Sequence, residues 1–156
     1  MEAYVAKEWA AMPDSQKAVV WKAYEWGKER GFRELGAIYA VENRGLMRGV
    51  RREYNGGLSA GPGQNLVRYA TIREHGRDFS RVQYERTKQT LQNDLGVSLN
   101  NSYAHIQLGL RKFDTRWEVV KFYNGINAPH EKYPARVFAW DRFLRKMELE
   151  KRITKE

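Results

Sequence analysis

Cysteine is absent from this 156-residue chain, which excludes a disulfide framework and a thiolate metal site. Histidine is scarce. His75, His105 and His130 stand far apart and show no metal-ligand spacing, so neither a metal nor a cofactor is expected. His105 is expected to face the core or a groove. Long apolar runs are missing, and with them any expectation of membrane insertion. The start of the chain, "MEAYVAKEWAAMPDSQ", lacks the basic-then-apolar order of a signal peptide. Synthesis in the cytoplasm is therefore expected, with any later destination reached by other means. β-Alternation is almost absent too, and there is no internal repeat, low-complexity segment or domain linker. One all-α domain over 1–150 is expected, with a frayed tail at 151–156.

What the chain does have is positive charge and aromatic side chains. Lys and Arg number 28 against 19 Asp and Glu, a formal net charge of +9. Such an excess points to a polyanionic partner: nucleic acid, an anionic surface, or an acidic cell-wall polymer. It also serves solubility alone. The arginines are spread through "MRGVRREY", "RKFDTR" and "RFLRKMELEKR" and form no tail. No helix-turn-helix pair stands out and the basic residues gather on no single helix, so nucleic acid is not the expected partner.

Helical periodicity dominates. "PDSQKAVVWKAYEWGKERG" offers Asp14 or Ser15 as N-cap, an apolar stripe through Val19, Val20, Ala23, Tyr24 and Trp26, and Gly31 as a stop. "FRELGAIYAVEN" is a second strong helix. "QNLVRYATIREHG", "FSRVQYERTKQTLQNDLG" with Ser80 as cap, "SLNNSYAHIQLGLRKF" and "TRWEVVKFYNG" follow. Asn100 reads as a possible N-cap. Trp117 reads as core rather than as a sugar platform. "YPARVFAWDRFLRKMELEKR" closes the chain with Pro134 in its first turn. Between the second and third helices lies "RGLMRGVRREYNGGLSAGPGQ", glycine-rich with an Asn-Gly turn signal, read as one long loop. It is no phosphate cradle, because no Lys-Ser/Thr follows its glycines. Long loops in compact domains are often functional.

Glu42 is the residue that asks for an explanation. Leu35, Ile38 and Tyr39 share one helical face, and Glu42 continues that face one turn on, just before the stop at Asn43 and Gly45. A carboxylate there loses solvation and its pKa should rise, which suits a general acid near neutral pH. A fraying helix end that lets Glu42 reach water is the plainer alternative. The nearest second carboxylate in sequence is Glu53, expected to be a solvated loop charge paired with Arg51 or Arg52.

Four segments now stand in order: "YAVEN" at a helix end, "LSAGPGQN" in the loop, "WEVVKFYNG" near the C-terminus, and "EKYPARV" before the last helix. Together they resemble the lytic transglycosylases of the lysozyme-like superfamily, in the soluble-lytic and goose-lysozyme-like branch, over roughly residues 33 to 145. "LNNSYAHIQLGLRKF" is similar to a further stretch of that family. The chain departs from the pattern in having Asn43 where the family has Ser after its Glu, and "GPGQ" where it has Gly-Leu-Met-Gln.

The resemblance implies a lysozyme-like domain with a substrate groove. It implies that Glu42 protonates the oxygen of the β-1,4 bond between N-acetylmuramic acid and N-acetylglucosamine. Glu42 then acts as base on the muramoyl 6-hydroxyl and leaves a 1,6-anhydro product. Ser59 and Gln64 become sugar contacts, Tyr123 the hydroxyl that bonds the catalytic Glu or the substrate acetamido group, Asn124 its groove-shaping neighbour, and Tyr133 the aromatic before the last helix. The implied partner is the glycan strand of peptidoglycan. The implied setting is a bacteriophage protein, either associated with the virion and its other proteins or released to the periplasm. Hydrolysis by Glu42 with Glu53, and a non-enzymatic basic or structural virion domain, are the alternatives.

Overall fold

The computed structural model describes residues 3–53, 56–125 and 132–155, with side chains as far as Lys151. Among these, eight helices and a small sheet follow in the order α1 (Ala3–Ala11), α2 (Asp14–Glu29), α3 (Glu34–Asn43), β1 (Val50–Arg52), β2 (Leu58–Ala60), β3 (Asn65–Leu66), α4 (Val67–His75), α5 (Arg81–Asn93), α6 (Leu95–Lys112), α7 (Arg116–Asn124) and α8 (Lys132–Lys155). The chain is mostly helical, as its periodicity indicates. α8 continues across the expected boundary at 150 and 151 as far as Lys155.

The principal core forms around α3. Every residue from Glu34 to Ala40 is buried. α2 packs on one side of this helix and α8 on another. Gly36 lets α2 approach, since a Cβ there would strike the Tyr24 backbone and side chain. Phe32, Leu35, Ile38 and Tyr39 meet Val20, Tyr24, Leu99, Val120, Val137 and Trp140. Burial on this scale is worth about 1.5–3 kcal/mol for each large apolar side chain. A second, smaller cluster of Ala60, Val67, Ala70 and Leu91 joins the sheet to α4 and α5.

Several sequence expectations need correction. The segment read as one loop contains a three-stranded antiparallel sheet, ordered β1-β2-β3. Val50 pairs with Ala60, Arg51 with Ser59 and Arg52 with Leu58, then Ser59 with Leu66 and Ala60 with Asn65. Strands of two and three residues are too short to show alternation, so only the glycines and the turn signal stand out in the sequence. Gly61, at φ 84°, makes the second turn and lies so close to the Leu91 carbonyl that no Cβ fits. Tyr54 and Asn55, including the asparagine of the Asn-Gly signal, lie outside the described residues, as does His130. Asn100 sits inside α6, whose cap is Asp94; its side chain accepts the Val97 N–H. Pro13 rather than Asp14 or Ser15 precedes α2. Trp117 is exposed and stacks on Phe138 at 5.7 Å, so it is not core. Ser80 does cap α5, in a full capping box with Gln83.

Glu34 opens α3 with its side chain 1% exposed. Arg116 of α7 donates to both of its oxygens, from Nη2 to Oε1 at 2.7 Å and from Nε to Oε2, and Nη2 also donates to the Gly31 carbonyl. Removing one partner from a buried pair strands the other charge. Arg116 is itself half exposed, which discounts the effect. Arg116→Gln is expected to lower stability by about 2–3 kcal/mol in chemical denaturation, and Glu34→Leu with Arg116→Met to recover most of it. A loss of under about 0.5 kcal/mol, the size of an ordinary surface substitution, would show that the pair does not anchor α3.

Candidate functional site

α3 ends where its sequence says it should. Arg44 takes the left-handed conformation at φ 52°, its N–H returns to Ala40 O, and the Gly45 N–H returns to Tyr39 O. The Arg44 bond, from a left-handed residue to the carbonyl four positions back, closes the helix as an αL cap. Asn43 then fastens the departing chain: its Nδ2 donates to the carbonyls of Leu46 at 2.9 Å and Arg48 at 3.2 Å. The turn throws the chain back as β1, which carries Arg51 toward the carboxylate one residue inside the helix end.

Glu42 is desolvated rather than frayed into water, since its side chain is only 5% exposed. Its hydrogen-bond partners among the described residues are two. Arg51 Nη2 donates to Oε1 at 3.2 Å, and the Tyr133 hydroxyl donates to Oε2 at 3.0 Å. Burial pushes the Glu42 pKa above its ordinary value of 4.5, and the neighbouring Glu53 pushes the same way. Arg51 and the Tyr133 hydrogen bond pull it down without cancelling the effect of burial. The position at the C-terminal end of α3 adds to the upward push, because the helix dipole there disfavours negative charge. Burial, then Glu42, likewise raises the Tyr133 hydroxyl well above the usual tyrosine range, so it remains a proton donor.

Glu53 pairs with Arg51, as its sequence position suggests, but is partly buried rather than fully solvated. Arg51 Nη2 reaches its Oε1 at 3.2 Å, and the Ser59 hydroxyl donates to the same oxygen at 2.5 Å. The register explains the grouping: Arg51 and Ser59 are directly opposed across β1 and β2 and share a face of the sheet. One guanidinium nitrogen therefore stands 3.2 Å from a carboxylate oxygen of each glutamate.

The remaining expected site residues divide. Tyr133 is brought to Glu42 and makes the contact assigned to Tyr123. Tyr123 instead donates to the Gly63 carbonyl at 2.7 Å and bonds Ser102 at 2.9 Å. It belongs to a buried polar network with Tyr39, Ser98, Ser102 and Asn65, which ties α3, β3, α6 and α7 together beneath the sheet. Burial raises the Tyr39 hydroxyl to about 12, so this network stays uncharged. Ser59 is buried and faces Glu53. Gln64 is buried at φ 48°, its Nε2 committed to the carbonyls of Gly61 and Gly49, so its amide shapes the turn. Asn124 closes α7, half-buried before Gly125. Among the described residues no group of three or more His, Asp or Glu converges as a metal would require. Sequence reasoning missed Arg51 as a site residue and Asn43 as its fastener. Arg51 lies in a strand too short to recognise, and Asn43 reads only as a helix stop.

The arrangement offers a proton donor in a desolvated setting, a fixed cation beside it, and a second carboxylate beyond the cation. A raised carboxyl pKa has a sign that stability measurements can read. The native state holds the Glu42 proton more tightly than the unfolded chain does, so ionised Glu42 costs stability above its folded-state pKa. That cost falls as the pH drops and is gone below 4.5, where both states are protonated. Glu42→Gln is accordingly expected to stabilise the fold at pH 7 by about 1 kcal/mol, within the range usual for relieving a strained functional position. The gain should vanish near pH 4. A variant equally or less stable at pH 7 would show that Arg51 and Tyr133 compensate burial fully.

No protein-family model, no curated protein and no solved structure matches this chain, so what the site does is read from its own geometry.

Proposed function

We propose that this protein is a peptidoglycan-cleaving lytic transglycosylase of lysozyme-like architecture, cutting the β-1,4 bond between N-acetylmuramic acid and N-acetylglucosamine at Glu42. The observation that carries this is the buried carboxyl group of Glu42, raised in pKa and held by Arg51 and Tyr133 at a helix end facing a small sheet. A glycosidic oxygen leaves only if it is protonated. A carboxyl group that keeps its proton toward neutral pH supplies that proton. Once ionised, Glu42 is poised to take the proton of the muramoyl 6-hydroxyl as that oxygen attacks C1. The glycosidic C–O bond breaks, the C1–O6 bond forms, and no water is consumed. Arg51 and Tyr133 stabilise the carboxylate between the two transfers. The substrate's acetamido group supports the oxocarbenium-like centre, an accepted exception to the two-carboxylate scheme.

A second reading, a hydrolytic muramidase, draws on a specific observation: Glu53 shares Arg51 with Glu42. Hydrolysis through a covalent intermediate or an activated water requires a second carboxylate flanking the scissile bond. The first reading keeps priority because both Arg51 and Ser59 already bond the same Glu53 oxygen. Such a carboxylate is better placed to hold Arg51 than to attack a sugar. The basic surface fits either reading, since the wall is rich in anionic groups.

Digestion of purified wall separates the readings. Glu42→Gln retains shape but has no transferable proton, so cleavage should fall by about 10²–10⁴-fold, the usual worth of general acid–base catalysis. Glu53→Gln should keep most activity, and mass spectrometry should show anhydro-muramoyl ends, one water lighter than reducing ends. Reducing ends together with an inactive Glu53→Gln would establish the hydrolase. Unchanged cleavage by Glu42→Gln would overturn both readings.

A further inference from the structure

Ser59, a sugar contact by resemblance, is turned inward by the sheet. It stands in the central strand β2, its backbone paired with Arg51 of β1 on one side and with Leu66 of β3 on the other. Its side chain takes the sheet face that it shares with Arg51, and the residue is only 1% exposed. Its hydroxyl donates to Glu53 Oε1 at 2.5 Å.

The same Glu53 oxygen accepts two N–H groups of one guanidinium, Arg51 Nε at 3.3 Å and Nη2 at 3.2 Å. Glu42 receives Nη2 alone, at 3.2 Å. Arg51 is thus divided unequally, with two points on Glu53 and one on Glu42. Two-point pairing is the stronger kind. An Arg51 released from Glu53 would turn both N–H groups to Glu42, and a full counter-charge there would favour its ionised form. A half-exposed ion pair holds its geometry loosely. The hydroxyl of buried Ser59 gives Glu53 a fixed second partner. Among the described residues, the titratable groups that face Glu42 are Arg51 and Glu53 from the sheet, Tyr133 from α8 and, through charge, Tyr123 from α7. Neither tyrosine bonds Ser59 or Glu53, so Ser59 reaches Glu42 by way of Glu53 and Arg51.

We propose that Ser59 is a positioning residue of the site: by fixing Glu53 it holds Arg51 between two carboxylates and withholds a two-point grip from Glu42. This role rests on the reading of Glu42 as a proton donor, which a full ion pair with Arg51 would abolish. Glu42 keeps one N–H and the Tyr133 hydroxyl. Those contacts receive its charge after proton transfer without forcing ionisation beforehand.

Ser59→Ala removes no charge and touches neither Glu42 nor Tyr133, so any change in the Glu42 titration must pass through Arg51. Carboxyl-carbon NMR of the full chain is expected to place the Glu42 midpoint about half a pH unit lower in Ser59→Ala than in the wild type, roughly threefold in proton affinity. Ser59→Thr keeps the hydroxyl and should return the midpoint toward the wild-type value. In an Arg51→Gln background, Ser59→Ala should leave the midpoint where Arg51→Gln alone puts it. The wild-type protein gives a reading that needs no variant. Arg51 Nε bonds Glu53 and not Glu42, so its N–H resonance should follow the Glu53 carboxyl carbon through titration. An unmoved or raised Glu42 midpoint in folded Ser59→Ala, an equal shift with and without Arg51, or an Nε–H that follows Glu42 instead would overturn the proposal. The wild-type Glu42 midpoint by itself decides the proton-donor reading, and the difference made by Ser59 decides this one, so the two fail separately.

Discussion

A helix buried along almost its whole length imposes the constraint on which the rest of this molecule depends. α3 has a glutamate near each end, and neither has free access to water. At the N-terminal end Glu34 sits where the helix dipole favours negative charge, and Arg116 grips both of its oxygens. At the C-terminal end Glu42 sits where the dipole opposes charge. It receives one contact on each oxygen, from Arg51 and from Tyr133. The first arrangement anchors a helix. The second leaves a carboxyl group inclined to keep its proton.

Holding that carboxyl in place takes elements from most of the chain. α2 and α8 clamp α3 from either side, and the first turn of α8 carries Tyr133 to it. The sheet brings Arg51, Ser59 and Glu53 onto one face, and Asn43 fastens the chain that enters it. Beneath the sheet, the hydroxyls of Tyr39, Ser98, Ser102 and Tyr123 and the Asn65 amide form a buried network. Satisfied polar networks of this kind fix one arrangement, because each broken bond would leave a buried group unpaired. The site is thus held between an apolar core behind α3 and a polar bracket under the sheet.

The helices from α2 onward were legible because nine or more residues display a 3.6-residue period, and Glu42 was legible because it continues a stripe begun by Leu35 and Ile38. Gly45 marked the helix end by the same local logic. The sheet was not legible: β1 to β3 are two or three residues long, and their pairing is decided by turns at Gly61 and by packing on Leu91. Arg51 was invisible for the same reason, since only the register with Ser59 shows which way it faces. Tyr133, in the first turn of α8, makes the Glu42 contact expected of Tyr123, which sits in the last turn of α7 and bonds Ser102 and the Gly63 carbonyl instead. Distance to Glu42 is a tertiary fact, set by how α7 and α8 pack. α1 was not legible because Val5 is its only buried residue, which leaves no apolar stripe to mark it.

The account turns on the protonation of one side chain, and a carboxyl-carbon NMR titration of Glu42 in the intact protein reads that directly. Assignment of its resonance follows from its loss in Glu42→Gln. A midpoint clearly above the ordinary 4.5 is what a desolvated proton donor requires. A midpoint at or below 4.5 would mean that Arg51 and Tyr133 hold Glu42 as an anion, and the proton-donor account of this site would be contradicted.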